Sequence, residues 1–109
     1  MNEESTLAAF ASLSNATRLR ILRELVAAGP EGLCAGEIAN AVGASPSRAS
    51  FHLSNMSKTE LITSSRSARE ITYRADYKAI GALISFFMDD CCGGDETIRA
   101  CCVGKKNCC

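Results

Sequence analysis

Residues 35–58, with the sequence AGEIANAVGASPSRASFHLSNMSK, decide the fold of this 109-residue chain. The first eight of them predict a short helix, because their apolar side chains recur at helical spacing, and a turn at Gly43 follows. Ser45 and Pro46 mark a second helix start, since a hydroxyl caps the first amides and proline lacks the N–H that would stay unpaired there. The stretch therefore predicts two helices joined by a short turn, and the second helix runs to about residue 58.

Further elements are expected on both sides of this helix pair. Two helices precede it and one follows it, in residues 5–13, 16–28 and 76–90. Ser5 and Asn15 are the expected N-caps of the first two helices. Leu7, Ala8 and Ala11 give the first helix an apolar stripe. The last helix is expected to end before Gly93-Gly94.

A hairpin completes the expected fold. Two segments rich in β-branched and aromatic side chains, residues 61–66 and 69–75, are separated only by Ser67-Ala68. A basic two-stranded ribbon after a helix–turn–helix pair is the order of a winged helix-turn-helix. The predicted fold class is therefore mainly α (α+β), with a helical core and a two-stranded β-wing in residues 1–90. The remaining residues, 91–109, are expected to form a cysteine-rich tail.

The charge balance and the residue types exclude several classes of protein. Twelve basic and twelve acidic residues cancel, so any nucleic-acid contact has to come from a local basic patch. No apolar run reaches the ~18 residues of a membrane span and no signal peptide is evident, so a cytoplasmic protein without a membrane partner is expected. A single histidine and no Ser/His/Asp or Cys/His arrangement leave no catalytic residue to assign, so no enzyme is expected.

A local basic patch is present in the helix–turn–helix and hairpin region. Between residues 44 and 78 the basic side chains are Arg48, Lys58, Arg66, Arg69, Arg74 and Lys78, against Glu60, Glu70 and Asp76. A helix can read the major groove when the outer side of its N-terminal half is polar, as it is here. The residues expected to contact DNA are Ser47, Arg48, Ser50, Phe51, His52, Arg66 and Arg69. His52 fits either a phosphate contact or a hydrogen-bonded inner residue.

Cysteine is the outlier of the composition. Six of the seven cysteines fall in the last nineteen residues, as the vicinal pairs Cys91-Cys92, Cys101-Cys102 and Cys108-Cys109. A secreted disulfide framework would spread its cysteines through the fold and would carry an even number of them. We therefore expect a reducing cytosol in which the thiols serve soft ligands or redox chemistry.

Three segments resemble the ArsR/SmtB family of bacterial metal-sensing repressors: NATRLRIL at 15–22, SPSRASFHL at 45–53 and ELI at 60–62. The second segment matches the family's recognition-helix pattern S-x-S-x-x-S-x-H-L, and the resemblance covers about residues 7–90. It implies a bacterial homodimer that pairs through its first and last helices. It also implies a double-stranded operator with dyad symmetry as the partner.

The chain departs from the family pattern at three places. The family's wing usually turns on a glycine, whereas Ser67-Ala68 stand here. Of the two cysteines that the best-known arsenic sensors of the family carry before the recognition helix, only Cys34 is present. Of the family's zinc ligands on the last helix, Asp76 is present, but Lys78 occupies the next ligand position. Neither of those two metal sites is therefore expected.

Other arsenic sensors of the family carry cysteines at the end of the last helix, and Cys91-Cys92 resembles that arrangement. Trivalent arsenic and antimony are soft and thiophilic, and three thiolates complete a pyramidal site. Cys101 or Cys102 is expected to supply the third ligand, because the eight residues between the pairs are long enough to fold back. All four are candidate metalloid ligands, and no constitutive cofactor is expected.

The sequence thus predicts a repressor that leaves its operator when As(III), or Sb(III), binds the C-terminal thiolates. Two alternatives stay open. A repressor of the same fold would respond to oxidation or to persulfide through the same thiols. A metal-buffering protein would instead store Cu(I) or Zn(II) in its tail and bind no operator.

Overall fold

Six helices and three strands make up residues 1–102, the part of the chain that the computed structural model describes. The helices are α1 (Glu3–Leu13), α2 (Ala16–Ala28), α3 (Ala35–Val42), α4 (Pro46–Ser57), α5 (Tyr77–Ser85) and α6 (Glu96–Cys102). The strands are β1 (Leu33–Cys34), β2 (Ile62–Ser67) and β3 (Glu70–Ala75). A 3-10 turn, Gly29–Glu31, follows α2, and a π-helical segment, Phe86–Cys91, continues α5. The order confirms the predicted winged helix-turn-helix.

The predicted caps of α2 and α4 are confirmed. The Asn15 side chain accepts a hydrogen bond from the amide of Arg18 (3.1 Å), and Ser45 Oγ accepts one from the amide of Arg48 (3.2 Å). Pro46 is the first residue of α4, and Gly43 ends α3 with a left-handed φ of 67°. Local signals therefore fix both ends of the turn between α3 and α4.

The predicted cap of α1 is wrong. The N-cap is Asn2, whose Oδ1 accepts from the amide of Ser5 at 2.8 Å, while the Ser5 hydroxyl accepts from the amide of Asn2 at 2.9 Å. Ser5 is thus the third helical residue of a capping box rather than the cap itself. The helix starts earlier because this reciprocal pair satisfies two amides that would otherwise be unpaired.

The wing consists of β2 and β3, which belong to a three-stranded antiparallel sheet with the order β1-β3-β2. The pairing of Ser67 with Glu70 puts Ala68 and Arg69 in the turn, one residue later than the sequence predicts. Ala68 adopts a left-handed φ of 56°, a conformation that L-residues with a side chain rarely take. The short strand β1 pairs with the other edge of β3, and a Cβ at Gly32 would lie 2.3 Å from the carbonyl oxygen of Tyr73.

The last predicted helix is present, but it changes type. It continues from α5 as a π turn to Cys91, and Gly93 and Gly94 then take positive φ values of 63° and 70°. The predicted helix stop at these glycines is confirmed. The chain then forms α6, a helix that the sequence does not predict.

The core lies between α1, α2, α3, α4 and the start of the sheet. Its fully buried large side chains are Ile21, Leu25, Ile38, Leu53, Met56 and Leu61. The face that α1 buries carries Thr6, Ala9 and Ser12, whereas Leu7, a member of the predicted apolar stripe, is 61% exposed. Small side chains on α1 let it approach its neighbours closely. Among residues 1–102, no helix has the length and apolarity that crossing a membrane requires.

Candidate functional site

The outer face of α4 carries the predicted DNA-contacting residues. Ser47, Arg48, Ser50 and Phe51 are exposed, whereas Ala49, Leu53 and Met56 pack into the core. This division follows from the helical period, because residues three, four and seven apart share a face. The N-terminal half of α4 therefore presents hydroxyls, a guanidinium and an aromatic ring to the outside.

A concave surface of about 840 Å³ lies beside this half of α4. It is lined by Gly43, Ala44, Ser45, Ser47, Arg48, Phe51 and His52 and also by Asn15 and Thr17. Asn15 and Thr17 lie at the start of α2, and neither is among the residues that the sequence predicts to contact DNA. Polar residues at a helix N-terminus suit phosphate contacts, which is a signal in the sequence, but only the fold brings these two next to α4.

His52 lies inside the protein rather than on the outer face. It is 7% exposed, and its Nδ1 is 3.1 Å from Nη1 of Arg18. Because a guanidinium only donates, Nδ1 accepts this hydrogen bond and the ring is neutral with its proton on Nε2. Burial lowers the pKa of His52 from its ordinary value of 6.5, and the positive charges of Arg18 and Arg48 lower it further.

A hydrogen-bond network ties α4 to the first two helices. Arg18 Nε donates to the carbonyl oxygen of Ser12 at 2.6 Å, and the Ser12 hydroxyl donates to Oδ1 of Asn55 at 2.8 Å. Together with the Arg18–His52 contact, these bonds join α1, α2 and α4 at two points along α4. The orientation of α4 is therefore coupled to the position of α1.

The wing presents Arg66 and Arg69 at its tip, and both side chains are exposed. Arg74, by contrast, is held in place, since its Nε donates to the carbonyl oxygen of Pro30 (2.8 Å) and its Nη1 donates to Ser65 Oγ (2.7 Å). Arg66 and Arg69 are thus the wing cations that remain available to a phosphate backbone.

The C-terminal segment turns back at the glycines and is anchored to the end of the last long helix. The amide of Gly94 donates to the carbonyl oxygen of Met88 at 2.8 Å. Arg99 Nη2 lies 2.6 Å from Oδ1 of Asp89, and the other carboxylate oxygen of Asp89 accepts from the Ser85 hydroxyl at 3.1 Å. Asp95 caps α6 through its Oδ1, which accepts from the amide of Thr97 at 2.9 Å. The chain after Gly94 therefore runs back alongside α5.

The predicted thiol ligands fall on both sides of this turn. Cys92 is half-buried and free, and Cys102 is exposed and free, whereas Cys101 is half-buried and disulfide-bonded. The side chain of Cys91 and the residues from 103 onward, Cys108 and Cys109 included, lie outside what the structure describes. Within the described residues, no group of three or more His, Cys, Asp or Glu side chains has a metal-binding arrangement.

An apolar groove of about 490 Å³ separates α6 from α1 and α5. It is lined by Phe10, Leu83, Ile84, Phe87, Met88 and Ile98, together with the two cysteines of α6. The rings of Phe10 and Phe87 meet edge to face, with centroids 5.9 Å apart, and both rings remain more than 40% exposed. Such an apolar patch on a small domain is typical of an interaction surface.

Asp76 and Cys34, the residues that remain of the family's other two metal sites, are both N-cap residues. Asp76 is the N-cap of α5, and its Oδ1 accepts from the amide of Ala79 at 3.1 Å. Cys34 is half-buried in β1, and its amide donates to the carboxylate of Glu37 at 3.0 Å.

The fold and the outer face of α4 define a winged helix-turn-helix regulator that binds DNA. The sequence model of a helix-turn-helix domain family matches residues 13–65. The nodulation protein NolR of Rhizobium meliloti is 34% identical over 95 residues, which cover 82% of this chain and 75% of NolR. The chain belongs to the ArsR family of transcriptional regulators.

Two solved structures of related regulators are similar over most of the chain. An ArsR-like transcriptional regulator from Rhodococcus sp. RHA1 has a TM-score of 0.72 and 25% identity, covering 94% of this chain and 95% of that one. The antimony-specific transcriptional repressor AntR has a TM-score of 0.60 and 27% identity, covering 82% of this chain and 80% of that one. Both proteins are regulators of transcription.

Proposed function

We propose that this protein is a repressor that binds operator DNA as a homodimer and is released when trivalent arsenic or antimony binds its C-terminal thiolates. The observation that carries the proposal is the reversal at Gly93-Gly94, which brings the helix of Cys101 and Cys102 back alongside the helix that ends at Cys91. Thiols far apart in the chain thereby share one end of the molecule.

The chemistry of this donor set suits a soft metalloid. Thiolates bind As(III) and Sb(III) in preference to hard cations, and three of them fill the coordination shell of either element. Cys91, Cys92, Cys101 and Cys102 supply more than enough thiols for one such site once the disulfide bond of Cys101 is reduced. AntR, which has the same fold, is described as antimony-specific, and this adds support to a metalloid as the inducer.

The apolar groove supports the homodimer. Phe10 on α1 and Phe87 beside α5 leave large apolar areas in contact with water in a single chain. A second copy of the chain would cover these areas, and burial of such surface is the main driving force of association. The pairing of first and last helices that the family resemblance implies uses the same surface.

Metalloid binding reaches the DNA-binding helix through α1 in this proposal. The thiol segment and α1 line opposite sides of the apolar groove, and α1 is hydrogen-bonded to α4 through Ser12 and Asn55. A shift of α1 on metalloid binding would therefore change the orientation of α4 in each subunit. Two recognition helices that no longer match successive major grooves, ~34 Å apart, bind the operator less tightly.

The test is an operator-release titration with the Cys91→Ser/Cys92→Ser double variant. Fluorescently labelled operator is mixed with the wild-type protein or with the variant, in a buffer that contains a thiol-free reducing agent. Arsenite is then added to each complex. The wild-type protein is expected to release the DNA, whereas the variant keeps its operator affinity and does not respond.

Cys34→Ser is the matched control, because Cys34 lies in β1, away from the C-terminal segment. It is expected to release DNA at the same arsenite concentration as the wild-type protein. Normal release from the Cys91→Ser/Cys92→Ser variant would show that these two thiols are not the sensor.

A second candidate function is a repressor of the same fold that responds to oxidation. The observation that favours it is the disulfide bond of Cys101. Two thiols that form a disulfide lose two electrons and two protons to peroxide, which is reduced to two water molecules. Release by peroxide, together with no release by arsenite under reducing conditions, would select this candidate over the metalloid sensor.

A further inference from the structure

Phe51 is a large apolar side chain on a polar surface. It is 67% exposed, more than Phe10 or Phe87, although both of those rings belong to the proposed dimer face. Its neighbours on the outside of α4 are the polar residues Ser47 and Arg48. The dimer surface therefore does not account for the exposure of this ring.

Phe51 lies at the centre of the outer face of α4. Successive helical residues are about 100° apart, so Ser47, Phe51 and Ser54, at i, i+4 and i+7, form one stripe. This stripe is opposite the buried Ala49, Leu53 and Met56. The ring also packs edge to face on the buried ring of His52, with centroids 5.6 Å apart and planes at 69°. The contact supports the ring on one side and leaves its other side open.

We infer that Phe51 reads thymine, by packing its ring against the C5-methyl group of a thymine in the major groove; the inference rests on the proposed operator binding. The thymine methyl is the apolar group that base pairs display in the major groove, and all the other recognition groups there are hydrogen-bond donors and acceptors. Ser47 and Arg48 match those polar groups, so Phe51 adds a preference that hydroxyls and a guanidinium cannot supply.

The test removes the thymine methyl group from the DNA and leaves the protein unchanged. A duplex is first selected from a random pool by the wild-type protein, and each thymine in it is then replaced singly by deoxyuridine. At one position of each half-site, we expect the replacement to weaken wild-type binding about fourfold, the loss typical of one buried methyl group. Binding is measured by fluorescence anisotropy at one fixed salt concentration, because affinity for DNA depends strongly on salt.

The Phe51→Ala variant removes the other partner of the same contact. It is expected to bind the thymine and deoxyuridine duplexes equally. Phe51→Leu, which keeps an apolar side chain, is expected to retain a preference for thymine. Because Phe51 is mostly exposed, neither variant is expected to alter the fold.

The outcomes separate this inference from the proposed function. If no thymine replacement changes wild-type binding, or if Phe51→Ala keeps the discrimination, Phe51 does not read thymine, although the protein still binds its operator. If the wild-type protein selects no duplex at all, operator binding itself is wrong and the inference is overturned with it.

Discussion

Arg18 and His52 lie on different helices, yet Nη1 of the arginine is 3.1 Å from Nδ1 of the histidine. The contact is made on the inner side of α4, behind the face that carries Ser47 and Phe51. Arg18 also donates to the carbonyl oxygen of Ser12, so one guanidinium joins α1, α2 and α4. The helix that is predicted to contact DNA is therefore held by a basic residue on its inner side.

Removal of this guanidinium should destabilise the protein. Arg18→Ala leaves Nδ1 of His52 and the carbonyl oxygen of Ser12 without their donor, and a buried unpaired polar group costs about 1–3 kcal/mol. We expect the free energy of unfolding in urea to fall by that amount. Arg20→Ala, an exposed position on the same helix, should change it by less than about 0.5 kcal/mol. Equal effects of the two variants would contradict a structural role for Arg18.

Acid should destabilise the folded protein through His52. Its pKa is lowered in the folded state, so the unfolded chain takes up the proton first as the pH falls below 6.5. The stability that the neutral ring provides is complete above that pH. Below that pH this stability falls by up to about 1.4 kcal/mol per pH unit, until the pH reaches the pKa of His52 in the folded state.

The chain has one histidine, so the histidine contribution is removed entirely by His52→Gln. Urea unfolding of both proteins between pH 7.5 and 5 is the measurement. The wild-type curve should fall with acidity relative to the variant curve. Parallel curves would mean that His52 titrates alike in the folded and unfolded states.

A charge in the apolar groove should prevent dimerisation. Phe87 is 46% exposed and contacts Phe10. Burial of the Phe87 ring in a dimer would contribute about 1.5–3 kcal/mol in each copy, and Phe87→Glu removes that contribution. We expect sedimentation to show a monomer at concentrations where the wild-type protein is a dimer. Phe51→Glu is the matched control, because it places the same charge on an exposed phenylalanine of α4 and should leave the dimer intact.

The ion pair between Arg99 and Asp89 should help to assemble the proposed metalloid site. Both side chains are about half exposed, so the pair contributes little to folding. Arg99→Ala should nevertheless weaken arsenite binding by about two- to fivefold, because α6 is then free to leave α5. The measurement is an absorbance titration of arsenic–thiolate bonds, with Arg23→Ala on α2 as control. Unchanged affinity in Arg99→Ala would show that the anchoring of α6 is not needed.

A glycine at the wing turn should stabilise the protein. Ala68 has a φ of 56°, and the left-handed conformation costs an L-residue with a side chain about 1–2 kcal/mol. Part of the gain in Ala68→Gly is lost to the greater freedom of glycine in the unfolded chain, so we expect a net gain of about 0.5–1 kcal/mol. Thermal unfolding measures it. Ala27→Gly in helix α2 should have the opposite effect, and a loss of stability in both variants would contradict strain at Ala68.

The helices that the sequence predicts well are those with signals in their own residues. Asn15 before α2 and Ser45-Pro46 before α4 are caps that act within one helical turn, and the apolar spacing of Ala49, Leu53 and Met56 identifies the buried side of α4. The outer residues of the DNA-binding helix follow from the same spacing. These features need no knowledge of the rest of the chain.

The features that the sequence misses depend on contacts between distant residues. The strand β1 has two residues and exists through its pairing with β3. The helix α6 is short, and the pairing of Arg99 with Asp89 is visible only once the chain has turned back. Asn15 joins the α4 surface for the same reason. Leu7 is exposed because an apolar pattern does not reveal which surface covers it, the core or a second subunit.

The π turn at Phe86–Cys91 makes the presentation of the thiols sensitive to chain length. A π turn accommodates one residue more than an α-helical turn. A homologue that lacked a single residue here would extend α5 as a regular helix and rotate its vicinal cysteines by about a quarter turn around the axis. In the proposed mechanism, relatives with equally cysteine-rich ends are therefore expected to differ in inducer response according to the number of residues between the last helix cap and the first cysteine.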